Sequence, residues 1–177
     1  MEFYLTEEGK LGLKEIPPVL ADILRQIPVC GDRETEEVES RLFPFPTLEP
    51  EEEELREDWK AFVQPDLHLL FQSSRQTVEA DLRGLREEGD LYELEFPIKH
   101  ADAWLNALNQ ARLALAAEFN FGEQELSTLG PMEVTNERDF ALLQIELYAD
   151  LQHWLIQALD THEGDETDED EEDIFPE

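Results

Sequence analysis

Cysteine is almost absent from this sequence, since Cys30 is the single one among 177 residues. One thiol cannot form an intrachain disulfide, and it cannot supply the several sulfur ligands of a structural zinc site. Basic residues are also scarce, with 13 lysines and arginines against 45 aspartates and glutamates and a formal net charge of −32. Such a charge opposes direct binding to nucleic acid or to an anionic membrane surface. The composition therefore excludes a disulfide scaffold and disfavours both of those partners.

Long apolar runs are missing as well. No stretch approaches the roughly 18 apolar residues of a membrane span, and the first residues lack the basic and apolar regions of a secretory signal. We therefore expect a cytoplasmic protein that does not enter a membrane. Apolar residue types still make up 41% of the chain, which is enough for a packed core. Together with the length, this predicts one helical domain over residues 1–160.

The acidic residues are concentrated in two segments. Segment 31–58 contains 12 acidic and 3 basic residues, and segment 160–177 contains 11 acidic residues and no basic one. Like-charge repulsion predicts an acidic loop at 31–58 and a disordered acidic tail at 161–177. Apolar side chains interrupt both segments, and four of them are candidate interaction residues: Phe43, Phe45, Ile174 and Phe175. For the two loop phenylalanines we favour packing onto the body over docking to a partner.

The apolar periodicity predicts a mainly α-helical fold, a bundle of helices with a small N-terminal β-hairpin over residues 2–15. Residues 92–96 alternate and form either a third short strand or an extended linker. The helix at 136–160 is apolar around most of its circumference, so we expect it at the centre of the bundle. The other predicted helices are 17–27, 51–64, 66–88 and 101–119.

The apolar stripes of the middle helices are interpreted as core-facing. In the helix before Pro65 the stripe consists of Leu55, Trp59, Phe62 and Val63. In helix 66–88 it consists of Leu67, Leu70, Phe71, Val78, Leu82 and Leu85.

Two charged residues fall inside such stripes. Arg112 lies within the apolar arc of helix 101–119, and Asp81 lies within that of helix 66–88. An unpaired charge in a core is strongly destabilising. We therefore predict a buried structural ion pair between Arg112 and Asp81. In the alternative, Arg112 lines a pocket and holds an anionic ligand.

One polar strip on the last helix has the spacing of a metal site. Glu146, Asp150 and His153 occupy positions i, i+4 and i+7, and bundle metal sites use a carboxylate three residues before a histidine. Such sites need a second motif of this kind, and the sequence has none. Phosphate-binding loops and nucleophile motifs are also missing. We interpret the strip as a solvated face, expect no metal and no cofactor, and keep a metal-binding enzyme as the alternative.

The run that begins at Ala101 contains Trp104-x3-Leu108-Asn109-x2-Arg112-Leu113. It resembles the signature of a bacterial family known only as a domain of unknown function. Members are similar in layout, with an N-terminal hairpin, an acidic middle and a last helix like residues 147–155, so the resemblance covers residues 1–160. Their genes often lie beside the adaptor of the Clp protease. The resemblance thus implies a link to regulated proteolysis and supplies no catalytic residue.

These observations predict a non-enzymatic interaction or accessory protein whose partner carries a basic patch. They leave the oligomeric state open and are compatible with a homodimer. A nucleic-acid-mimicking inhibitor is a further alternative. A mimic needs its carboxylates on rigid helices, whereas we expect most of the acidic residues on mobile segments.

Overall fold

The computed structural model describes residues 1–6, 8–33, 35–47, 49, 52–127 and 133–169, with side chains to residue 161 apart from that of Ser127. The strands are β1 (Glu2–Leu5), β2 (Lys10–Ile16), β3 (Arg86–Glu88) and β4 (Leu91–Pro97). The first helices are α1 (Pro18–Arg25), α2 (Ile27–Gly31), α3 (Glu36–Leu42), α4 (Glu53–Asp58) and α5 (Gln64–Leu82). A π-helical turn, Trp59–Val63, joins α4 to α5, and a 3₁₀ turn, Ile98–His100, precedes α6 (Ala101–Glu118), α7 (Glu123–Ser127) and α8 (Glu137–Glu169).

The strands form an antiparallel sheet in the order β1-β2-β4-β3. The mainly α fold with an N-terminal hairpin is confirmed, and residues 92–96 belong to a strand rather than to a linker. The buried side chains of β2 and β4, among them Leu11, Leu13 and Leu94, join the helices in one apolar core. Phe96 carries this contact onto α6, because its ring stacks on that of Trp104 at a centroid distance of 4.5 Å.

Helix α6 lies at the centre of the helical layer, with α8, α5, α2 and α3 packed around it. The expectation that the last helix is central is therefore wrong in this respect. Side-chain size explains the difference, since α6 buries several alanines, which let neighbouring helices approach closely. Helix α8 packs along α6, and its buried Tyr148 also reaches α1, where the Ile23 carbonyl accepts a hydrogen bond from the tyrosine hydroxyl at 2.9 Å.

The predicted acidic loop at 31–58 is wrong for residues 36–42, which the structure folds into α3, whereas α4 lies within the predicted helix 51–64. Thr35 caps α3 by accepting a hydrogen bond from the Val38 backbone N–H at 3.3 Å. Acidic residues occupy the first turn of α3, where they complement the positive end of the helix. Val38 and Leu42, one turn apart, bury against the Ala114 region of α6. An apolar pair and a cap thus stabilise a helix at residues 36–42 despite their acidic charge.

The predicted helix 66–88 contains a boundary error. Helix α5 ends at Leu82, and residues 86–88 form β3 instead. Gly89 has a positive φ of 67° and does not close the helix, because it lies in the two-residue turn that pairs Glu88 with Leu91. The Gly-Asp turn signal was present in the sequence and outweighed the helical periodicity.

Helix α8 also runs further than expected, to Glu169 instead of residue 160. Once a helix is formed, each added residue gains one backbone hydrogen bond, and no proline interrupts residues 137–169. Ile174 and Phe175 lie outside the described residues. Within the described part of the chain, no helix combines the length and apolarity needed to cross a membrane.

Our first prediction concerns Gly12, over which the Tyr4 ring lies. A Cβ at Gly12 would stand 2.1 Å from Tyr4 Cζ, and the Tyr4 hydroxyl is fixed by donating to Glu95 Oε1 at 2.9 Å. We expect Gly12→Ala to lower the free energy of unfolding by about 1–3 kcal/mol through overpacking. Urea denaturation measures this loss.

The matched control is Gly122→Ala, whose new methyl group would meet only Glu125 at 3.8 Å. We expect it to change stability by less than about 1 kcal/mol. In a Tyr4→Ala background the Gly12→Ala loss should shrink, since the clashing ring is gone. An equal loss in both backgrounds would contradict this account of the close contact.

Candidate functional site

The 53–82 helix, in which α4, the π turn and α5 follow one another without a break, exposes large apolar side chains over much of its length. Its exposed members are Leu55, Phe62, Val63, Leu69 and Leu70, which are between 42% and 72% exposed. Leu55, Phe62 and Leu69 are seven residues apart, and so are Val63 and Leu70. Residues seven apart lie two turns apart on the same side of an α-helix, as Val63 and Leu70 do, whereas the π turn rotates Leu55 around the axis relative to Phe62. We call these five residues the exposed apolar face.

This face differs from the other exposed apolar residues of the described chain. Those are Leu5, Val19, Val29, Leu91, Val134 and Ile156, and they are scattered over several elements. Isolated apolar residues at a surface are ordinary. A contiguous apolar patch on a folded protein instead marks a place where another molecule binds. The exposed apolar face is therefore the leading candidate for a functional site.

Sequence analysis assigned this face to the core, and the structure corrects that. Leu55, Phe62 and Val63 were predicted to be buried, as was Leu70. The buried side of the 53–82 helix is formed instead by Ser74, Val78 and Leu82, with Phe71 half-buried. Apolar periodicity shows that a helix has an apolar side, but it does not distinguish a core from a binding surface.

The charges on the exposed apolar face are all negative. Asp58 and Asp66, four residues before and after Phe62, are both exposed, and neither forms an ion pair with another described residue. The nearby cations point elsewhere: Arg56 and Lys60 lie over the Phe45 ring, at 4.5 and 5.0 Å from its centroid. The face thus combines apolar side chains with two carboxylates that the protein itself does not neutralise.

A cleft of about 450 Å³ lies on the other side, between α3 and α5. Its two arginines are already paired, Arg75 with Asp32 at 2.7 Å and Arg33 with Glu118. Arg75 also donates to Gln110 Oε1 at 2.7 Å. These contacts join the acidic segment to α5 and α6, so the charges of the cleft serve the fold.

Two candidate interaction residues, Phe43 and Phe45, lie near this cleft and pack against the 53–82 helix. The buried Phe43 ring stacks on His68 with a centroid distance of 4.0 Å. The half-buried Phe45 ring meets the edge of Trp59 at 5.7 Å. Phe43 is therefore not a docking residue. Ile174 and Phe175, as stated above, are not among the described residues.

The predicted pair of Arg112 and Asp81 does not form. Asp81 is 9% exposed and accepts a hydrogen bond from Trp104 Nε1 at 2.9 Å. His100 Nδ1 lies 3.0 Å from both of its carboxylate oxygens. Helices α5 and α6 run antiparallel, so the end of α5 meets the beginning of α6. Arg112 lies eight residues beyond Trp104, about 12 Å further along the helix. Helical phase predicted the side of α5 correctly, but it could not give the axial position of the partner.

Arg112 lies instead between α6 and α8. It donates to Gln152 Oε1, and Gln152 Nε2 donates in turn to the Leu105 carbonyl at 3.1 Å. The buried Nε atom of Arg112 has no hydrogen-bond partner among the described residues. Burial lowers the pKa of the guanidinium below its ordinary value. This arginine is thus a partly desolvated cation held by a single side-chain amide.

The polar strip on α8 is open to solvent. Asp150 and His153 are exposed, and His153 Nε2 contacts Gln157 Nε2 at 3.0 Å. Glu146 is partly buried. Over the residues that the structure describes, no three histidine, cysteine, aspartate or glutamate side chains converge in a way that could hold a metal ion. The three residues therefore do not form a metal centre in this arrangement.

The single thiol is also unsuited to covalent chemistry. Cys30 is buried, and burial raises its pKa above the ordinary value. Because the reactive form of cysteine is the thiolate, a raised pKa suppresses its reactivity. Beside it, the buried Tyr148 hydroxyl donates to the Ile23 carbonyl at 2.9 Å.

Comparison of the chain with models of protein families shows which family it resembles. The model of a family described as a domain of unknown function, DUF2017, matches residues 14–159, more than four fifths of the chain. No curated protein and no solved structure matches the chain.

A second prediction follows from Asp81. We expect Asp81→Ala to lower the free energy of unfolding by about 2–3 kcal/mol, because the buried Trp104 N–H loses its acceptor. The control is Glu79→Ala on the same helix, which removes an exposed pair with Arg83 and should cost less than about 1 kcal/mol. Urea denaturation of both variants compares them, and equal losses would refute a special role for Asp81.

A third prediction compares Arg112, which lies on α6, with Arg75, which donates to Gln110 of α6. Arg112→Met should change stability by less than about 1 kcal/mol or increase it, since it removes a desolvated charge that no carboxylate compensates. Arg75→Met changes the net charge equally but breaks the contacts with Asp32 and Gln110, so we expect a loss of about 2 kcal/mol. Thermal and urea denaturation distinguish the two. A larger loss for Arg112→Met would mean that Arg112 has an ionic partner.

Proposed function

The chain belongs to the DUF2017 family, and we propose that it is a non-enzymatic accessory protein that binds a partner protein carrying basic residues. The observation that carries this proposal is the exposed apolar face of the 53–82 helix. Phe62 is the most exposed member, since 72% of its surface is accessible. Aromatic side chains that become buried at a protein interface are a main source of binding energy. A partner that covers this face would remove the apolar surface from water.

The charge of the protein supports a basic partner. The net charge of −32 creates a strong negative potential around the molecule, which accelerates encounters with basic proteins and rejects acidic ones. Asp58 and Asp66 bring this preference into the face itself. The attraction is screened by salt, so the proposed binding weakens as ionic strength rises.

The resemblance of the run from Trp104 to Leu113 to the family signature indicates which partner protein to test first. Because it implies genes beside the adaptor of the Clp protease, we propose that adaptor, or a protein that acts with it, as the first partner to test. The process would then be regulated proteolysis, with this chain in an accessory role.

A nucleic-acid mimic is a second candidate, favoured by one finding. Acidic residues such as Glu36 and Glu39 lie on the ordered helix α3, whereas sequence analysis expected them on a mobile loop. A mimic binds through carboxylates, so its partner would be displaced by duplex DNA and would not require Phe62.

The experiment is affinity capture from a native lysate with the full chain as bait. We expect the double variant Phe62→Ser/Leu69→Ser to lose at least about tenfold of the captured partner, and a few hundred millimolar salt to release it. The matched control is Val19→Ser/Val29→Ser, which changes two other exposed apolar residues and should capture as the unmodified chain does. Equal capture by both double variants would refute the proposal. Displacement by duplex DNA with no dependence on Phe62 would assign the chain as a mimic.

A further inference from the structure

The exposed apolar face also indicates what kind of partner segment it binds. We propose that its occupant is an amphipathic α-helix of the partner, with two basic side chains that pair with Asp58 and Asp66. This inference rests on the proposed function, because it names the chemistry of the binding at the same face.

The shape of the face suits a helix. Leu55 and Leu70 are fifteen residues apart, so the apolar side chains extend over about 22 Å of helix axis. Two pairs, Phe62 with Leu69 and Val63 with Leu70, have the seven-residue spacing with which two helices pack side by side. Val78 lies buried against the body nine residues after Leu69, so the two side chains are on opposite sides of the same helix. A partner helix of about four turns would cover the whole face.

The positions of the carboxylates add a charge requirement. Asp58 and Asp66 are eight residues apart, about 12 Å along the axis, and Phe62 lies midway between them. A partner helix that places an apolar side chain over Phe62 would bring its residues about four before and four after that position near the two aspartates. Lysine or arginine at those positions would form charge-assisted hydrogen bonds at the edge of an apolar contact. An acidic or neutral residue at those positions would leave the negative charge of the two aspartates unpaired.

A second copy of this chain fits the face less well. Its own 53–82 helix would bring the same two aspartates, and each copy carries a net charge of −32. Like charges across an interface oppose association. Self-association at this face would therefore strengthen with added salt, whereas binding of a basic helix weakens.

The test uses a designed probe and the full chain. The probe is a labelled helical peptide of about four turns with one stripe of leucines. Two lysines lie about four residues before and four residues after its central leucine. A matched peptide carries glutamates in place of the lysines. Fluorescence anisotropy at low salt measures both. We expect the lysine peptide to bind at least about tenfold more tightly than the glutamate peptide.

Variants of the chain locate the contact. Asp58→Asn and Asp66→Asn should each weaken binding of the lysine peptide by about threefold to tenfold, and Phe62→Ser by more than that. The matched control is Glu57→Gln, which removes an exposed carboxylate about 100° around the helix from Asp58 and should change binding by less than about twofold. The charge reversal Asp58→Lys/Asp66→Lys should exchange the preference, so that the glutamate peptide becomes the tighter ligand. All of these substitutions are at exposed positions, and circular dichroism verifies that each variant is folded.

The outcomes separate this inference from the proposed function. Equal binding of the lysine and glutamate peptides overturns the inference. If capture of a cellular partner depends on Phe62 and Leu69 but not on Asp58 and Asp66, the proposed function stands and the basic helix is wrong. Analytical ultracentrifugation covers the remaining occupant: self-association that increases with salt and is lost in Phe62→Ser assigns the face to a second copy and overturns the inference.

Discussion

The small side chains of α6 are the constraint on which the rest of the domain depends. Ala107, Ala111 and Ala114 are fully buried, and they allow neighbouring helices to approach the α6 backbone from several directions. A larger residue at any of these positions would separate α6 from one of its partners. Through Ala114, α6 receives α3 with Val38 and Leu42. Because α3 and α6 together hold one side of the 53–82 helix, they also determine which side of that helix remains exposed.

The acidic composition does not prevent folding, because two of the few basic side chains bind carboxylates between the acidic segment and the neighbouring helices. Arg75 connects Asp32, at the end of α2, with Gln110 on α6, and Arg33 pairs with Glu118 at the other end of α6. Both contacts tie the acidic segment to the core. Arg56 and Lys60 lie over Phe45 and form no ion pair with another residue that the structure describes. Asp58 and Asp66, near Phe62, are thus not neutralised by a basic side chain of the described residues.

Asp81 and Arg112 are both charged side chains in the helical layer, and they differ in how many hydrogen-bond partners surround the charge. Asp81 has several donors around it, from Trp104 and His100, and therefore joins α5 firmly to the beginning of α6. Arg112 donates to one amide acceptor, and its Nε has no partner in the part of the chain that the structure describes. Only the first arrangement fully satisfies its charge, so the two residues that sequence analysis treated as one pair differ in their contribution to stability.

The sequence by itself determined the fold class, the hairpin and the extent of α6, because local periodicity and turn residues define these features. It left residues 92–96 open between a strand and a linker, and pairing with β2 and β3 decided for the strand. It also placed Asp81 on the inner side of its helix. Only the tertiary structure decided that α6 is central, that Asp81 meets Trp104 and His100, and that Phe62 faces outward. The physical reason is the same in each case. Periodicity gives the angular position of a residue on its own helix, whereas its partner depends on where and how closely another element packs. An apolar stripe looks identical in sequence whether the protein's own core or another molecule covers it, and at Leu55, Phe62 and Leu69 the described chain leaves the stripe uncovered.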